Sequence, residues 1–135
     1  MSLDQEIGAF FADYAAAFTR GDVDAVCGMW VFPALFVAAA ANAASDEATF
    51  RAGFGKVLTR QRKLGAEGST CALVSCAPLY PDVAEARVRY TLRGGDGAPL
   101  LAWEHVYLLR RTPAGWRFAA AVQDGEAAAW AALGR

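Results

Sequence analysis

His105 is the one histidine among 135 residues, and it stands beside Glu104 in the run Trp103-Glu104-His105-Val106-Tyr107. Histidine is the residue type whose ordinary titration suits proton transfer near neutrality. On a strand, alternation groups Glu104 with Val106 and Leu108, and sends Trp103, His105, Tyr107 and Leu109 to the opposite face. We expect Glu104 to point inward and the aromatic row Trp103, His105 and Tyr107 to form a homodimer interface, where aromatic residues are enriched. A β-bulge reversing the register would exchange the two faces, bringing His105 and Trp103 inside and sending Glu104 out. Tyr14 adds a hydroxyl from the N-terminal region. A buried Tyr14 and Glu104 would either satisfy each other as ordinary core groups or act as proton donors toward a carbonyl ligand.

Other chemistries are poorly provided for. Cys27, Cys71 and Cys76 are odd in number and lack CxxC spacing, so with a single histidine we expect buried, reduced thiols and no metal. Cys71 and Cys76 lie five apart on an expected strand, which predicts opposite faces and no mutual disulfide. The chain has 13 Lys+Arg against 14 Asp+Glu, a net charge of −1, with no basic run to neutralise phosphates. Nucleic acid and anionic membrane surfaces are therefore not expected partners. The most apolar stretch, Val31 to Ala41, is about half of the roughly 20 residues a membrane span needs. The acidic start Met-Ser-Leu-Asp-Gln-Glu does not resemble a secretory leader, so we expect a cytoplasmic protein. No dinucleotide or phosphate-loop motif is present, because Gly94-Gly95-Asp96-Gly97 joins two strands. No cofactor is expected.

A hydrophobic fraction of 56% can build a substantial core in a single domain spanning residues 1–135. Ile7, Phe10, Phe11, Tyr14 and Phe18 recur at helical spacing between Ser2, with Gln5 completing a capping box, and the stop at Gly21. Asp22 caps a short second helix that is expected to run through Met29 and Trp30 and to end at Pro33. Leu35 to Ala41 favours a strand. Ser45-Asp46-Glu47 starts a third helix, which continues to Gly65. Thr70–Ala77, Val83–Arg93, Leu100–Arg111 and Trp116–Gln123 then read as an antiparallel meander, followed by a short Ala-rich helix, Glu126–Leu133, that packs Trp130 on the body. Three helices followed by a meander make an α+β domain with helices on one face of a strongly curved, mostly antiparallel sheet. The gap between the two layers is the expected ligand pocket.

This order of elements, with the strings YAAAFTRGDVDAV and EHVYLLRRTPAGWRFAA, resembles the nuclear transport factor 2-like superfamily, in particular its SnoaL-like and ketosteroid isomerase-like branch. The resemblance implies a cone-shaped (cystatin-like) fold with an internal pocket. It matches Tyr14 to the isomerases' oxyanion-binding tyrosine and Glu104 to their inward carboxylic acid, two groups that share an oxyanion hole in those enzymes. It aligns their general base with Ala38, and no residue from Val31 to Ala41 is titratable. Loss of a general base removes a factor of about 10² to 10⁴ in rate. We therefore expect a protein that binds an apolar or aromatic small molecule without a complete catalytic set. The alternative is a cofactor-free isomerase or lyase using Glu104 and Tyr14, or His105, for proton transfer. A third class, a protein-interaction module, rests on the aromatic row. Strand parity and helix position select Tyr14, Phe18, Trp30, Val88, Tyr90, Glu104, Ala120 and Val122 as pocket walls. Asp124 is either at the pocket mouth or a solvated strand end.

Overall fold

The computed structural model describes residues 1–39 and 41–134. α1 (Leu3–Arg20) is closed at its start by the reciprocal Ser2/Gln5 capping box and at its end by Gly21 in the left-handed region. Its buried stripe, Ile7, Phe11, Tyr14 and Ala17, faces the sheet. α2 (Val23–Gly28) is capped by the Asp22 side chain. β1 (Trp30–Val37) follows at once, so the second helix stops short of Trp30, and Pro33 lies inside a strand rather than ending a helix. Proline is tolerated there because the β1 ladder with the last strand is interrupted between Trp30 and Leu35. β2 (Asn42–Ser45), absent from the sequence reading, hairpins back on β1. Of the Leu35–Ala41 strand expectation, Ala40 lies outside the described residues. α3 (Glu47–Leu64) runs from its Asp46 cap to Gly65.

β3 (Gly68–Tyr80), β4 (Val83–Arg93), β5 (Pro99–Thr112) and β6 (Gly115–Val122) form the meander, and α4 (Asp124–Ala132) ends the described fold. The sheet order is β2-β1-β6-β5-β4-β3, antiparallel throughout except where β1 runs parallel to β6. This is the expected α+β arrangement, helices against a curled mixed sheet. No helix is long and apolar enough to cross a membrane among the described residues.

Two bulges decide which side chains face inward. On β3 the register slips between Leu73 and Ser75, so Cys71 pairs with Tyr90 and Cys76 with Ala86, both inner-face residues. Cys71 and Cys76 therefore share the inner face, contrary to the parity expectation, because the extra residue Val74 adds a step. All three cysteines are free, and the Cys71 thiol donates to the Phe11 carbonyl at 3.3 Å. On β6 the slip falls between the Leu109–Phe118 and Leu108–Ala120 pairs. Phe118 and Ala121 both point inward, and Val122 points out, 39% exposed. Ala120 is paired with the outward Leu108. The inward placement expected for Ala120 and Val122 is thus corrected, again by one extra residue, Ala119.

Candidate functional site

The β4–β5 hairpin sets the faces of the site. Its turn at Gly94–Gly97 aligns Tyr90 with Trp103, Val88 with His105 and Ala86 with Tyr107. Directly paired residues share a face. Val88 and Ala86 are fully buried, so Trp103, His105 and Tyr107 point inward, and they are 7%, 6% and 4% exposed. Glu104 points outward, with its side chain 37% exposed and 3.3 Å from Arg87. The inward Glu104 and the outer aromatic row are both corrected. No bulge was needed, because alternation runs unbroken from Leu101 to Leu109. The signal available in the sequence was bulk: the face bearing Trp, His, Tyr and Leu109 is the one with more apolar surface to bury.

Between this face, α1 and α3 lies a cavity of about 350 Å³. Its apolar wall includes Phe18, Trp30, Phe36, Phe50 and Phe54, with Ala15 and Ala121 leaving the space open. Trp30 packs on Phe36 and Phe50 at centroid distances of 5.1 and 5.3 Å. Tyr14, Phe18, Trp30 and Tyr90 line the cavity, as do Trp103, His105 and Tyr107. Val88 lies behind the wall as solid core, and Asp124 opens α4 outside the lining.

The polar groups are ordered by who can donate. The Trp30 indole N–H donates to the Tyr14 hydroxyl at 3.2 Å, so the tyrosine's own proton is not used in that bond. Burial holds the Tyr14 phenol neutral well above the ordinary tyrosine range, although the Trp30 bond works in the opposite direction. Tyr90 and Tyr107 share a hydrogen bond of 2.9 Å and are likewise held neutral by burial. The Tyr107 hydroxyl also lies 3.0 Å from His105 Nδ1. The other ring nitrogen, Nε2, is 3.2 Å from Glu126 Oε1 on α4. An Nε2–H tautomer, assigned from these partners, lets Tyr90 donate to Tyr107 and Tyr107 donate to Nδ1 in one direction. The Nε2–H direction misses the carboxylate oxygen, so its contact is electrostatic and not an aligned hydrogen bond. Trp103 Nε1 is the other buried side-chain polar atom without a hydrogen-bond partner among the described residues.

Glu126 was not among the residues selected from sequence. It lines the cavity, its side chain is 22% exposed, and its Oε2 accepts from Trp130 Nε1 at 3.2 Å. The signal was present in the helix period: Trp130 is four residues on from Glu126, and a docked Trp130 brings that helix face, Glu126 included, against the body.

A helix-lined, curled mixed sheet enclosing an aromatic cavity defines a class of pocket-bearing α+β cone. The chain belongs to the family described as NTF2-like protein (DUF6841), whose profile matches residues 5–126. Among solved structures it is similar to an NTF2-like protein with a cystatin-like fold from Novosphingobium aromaticivorans, at 27% identity and TM-score 0.66, covering 96% of this chain and 87% of that one. An NTF-2 like protein of unknown function from Shewanella oneidensis aligns at 15% identity and TM-score 0.71, over 90% of this chain and 98% of that one. A ketosteroid isomerase-like protein from Erwinia carotovora atroseptica aligns at 19% identity and TM-score 0.67, over 90% and 95%. No curated protein matches the chain.

Proposed function

We propose that the chain binds a flat, apolar small molecule carrying an oxygen acceptor. The observation that carries this reading is the aromatic cavity of about 350 Å³, near the lower end of the range of about 300–1,000 Å³ for ligand pockets, with the neutral Tyr14 hydroxyl in its wall. Titration with 2-naphthol, followed by quenching of tryptophan fluorescence, tests it, since Trp30 and Trp103 both line the space. Ala121→Leu, which adds three carbons at an inward, 1% exposed position, is expected to weaken this binding by about tenfold or more by occupying ligand volume. Undiminished binding in that variant would place the ligand elsewhere.

The homodimer belongs to the same proposal, on different residues. With Trp103, His105 and Tyr107 turned inward, the outer sheet face carries Leu35, Val37, Leu108 and Val122, between 39% and 49% exposed. The ladders join them into one patch, through Leu35–Ala120, Val37–Val122 and Leu108–Ala120. A second copy covering this patch predicts that Leu108→Glu sediments as a monomer while keeping its fold. A wild-type chain that is already monomeric at high concentration would refute it. A cytoplasmic setting is retained as part of the proposal, supported by the three free thiols.

A further inference from the structure

We propose that the cavity takes an aryl-alkanoic acid, a flat aromatic body with a carboxylate tail, and that Arg62 at the cavity's far end binds the carboxylate. The inference rests on the ligand-binding reading above and names the chemical class of the ligand. The cavity follows α3 from Thr49 to Gln61, over about 18 Å of helix axis. Trp30, Phe36 and Phe50 gather round its Thr49 end, which suits the aromatic body. Its Gln61 end is polar. There Phe18, Gln61 and Ser69 also line a second cleft of about 30 Å³, completed in part by Thr19, Arg62 and Glu67. Three shared walls make the small cleft a continuation of the large cavity, so a long apolar space leads to a short charged mouth.

The donors at this mouth are unused. Among the described residues the Arg62 guanidinium has no ion pair, and neither the Gln61 amide nor the Ser69 hydroxyl has a hydrogen bond. Arg62 NH2 lies 3.4 Å from where a Cβ would stand on Gly21, so the guanidinium rests against the end of α1. It is not needed there as a cap, because the Ala17 and Phe18 carbonyls already accept from the Asp22 and Gly21 N–H groups. Thr19 is engaged as well, its hydroxyl oxygen accepting from the Ser69 N–H at 3.2 Å. The two acids nearby are otherwise placed. Glu67 lies over Gly95, with Oε2 2.5 Å from the position of a Cβ there, and Glu126 sits between His105 and Trp130. One guanidinium balances one negative charge, and its planar fork matches a carboxylate. A doubly charged phosphate would be left with an uncompensated charge beside Glu67. The carboxylate tail is therefore the favoured head group, with Gln61 and Ser69 supplying further donors.

The test titrates the full chain with 4-(2-naphthyl)butanoic acid, its primary amide and 2-naphthol, each followed by tryptophan quenching. The acid is expected to bind at least about tenfold more tightly than the amide, as a charge-assisted pair requires. Arg62→Gln should abolish that preference while amide and 2-naphthol affinities stay within about threefold of wild type. Because the preference is a ratio taken within one variant, general damage to the fold cancels from it. Lys63→Gln removes the same charge from the neighbouring position, outside both linings, and should leave the preference within about twofold. A wild type that binds acid and amide alike, an Arg62→Gln variant that keeps the preference, or a Lys63→Gln variant that loses it equally overturns the carboxylate site. Saturation by 2-naphthol without saturation by either longer probe does the same, since the cavity would then end before Arg62. In all four cases saturable 2-naphthol binding leaves the binding reading standing. Absence of saturable quenching by all three probes overturns both.

Discussion

Phe118→Ala is expected to destabilise the fold by about 3–5 kcal/mol, the usual range for removing a fully buried phenylalanine. Phe118 is 0% exposed, and five rings converge on it: Tyr14 at 4.6 Å, Tyr107 at 4.7 Å, Phe10 at 4.8 Å, Trp30 at 5.0 Å and Phe11 at 5.3 Å. These rings come from α1, β1 and β5, so the vacated volume cannot close by the shift of one side chain. For a chain of this length, each kcal/mol corresponds to about 3–5 °C in Tm, so a fall of about 10 °C or more is expected by calorimetry. Tyr14, Trp30 and Tyr107 also line the ligand cavity, so 2-naphthol binding should weaken together with stability. A Tm within about 3 °C of wild type would mean that Phe118 is not the packing centre these distances describe.

Gly125→Ala is expected to be nearly as damaging, for a different reason. A Cβ built on Gly125 would lie 2.5 Å from the backbone carbonyl oxygen of Glu104, and a backbone oxygen in a paired strand cannot swing aside. Overpacking of this kind costs about 1–3 kcal/mol. The relief available is for α4 to lift from β5, which carries Glu126 away from His105. With one histidine in the chain, 15N-histidine labelling reports on a single imidazole. The Gly125→Ala variant should move its Nε2 resonance toward the value seen in Glu126→Gln. An unmoved Nε2 signal combined with wild-type Tm would show that α4 accommodates the methyl without shifting.

These two residues also mark what sequence can and cannot disclose here. α1 and α3 were legible because their ends are written locally, in Ser2 with Gln5, Asp46, Gly21 and Gly65. β4 was legible because Ala84, Ala86, Val88, Tyr90 and Leu92 alternate with polar residues and all are buried. β2 was not, since Asn42-Ala43-Ala44-Ser45 carries neither β-branched residues nor alternation, and the strand exists through its pairing with β1. The site was half legible. Tyr14, Phe18, Trp30 and Tyr90 follow from helix and strand period, whereas the orientation of Glu104 depends on the register against β4, which is a tertiary property. Parity failed at Cys76, Ala120 and Val122 for one shared reason: each lies beyond a single inserted residue, and a period of two has no memory across such a step. Glu126 depended on the close approach that Gly125 permits, and glycine in an alanine-rich helix looks like a defect until the opposing carbonyl is seen.

The bulge at Ala119 has a meaning for how this scaffold changes over time. It lets one eight-residue strand present the large Phe118 to the packed core and the small Ala121 to open space, while Val122 goes to the outer face. Were the strand to straighten with Ala119 taken into the ladder, Ala120 and Val122 would turn inward and Ala121 would leave the cavity wall. The valine would take up volume now left free, and the outer patch would lose an apolar member. Pocket and outer surface are therefore tied to one register slip, and substitutions that straightened the strand without shortening it would exchange a hollow, ligand-accepting body for a more solid one.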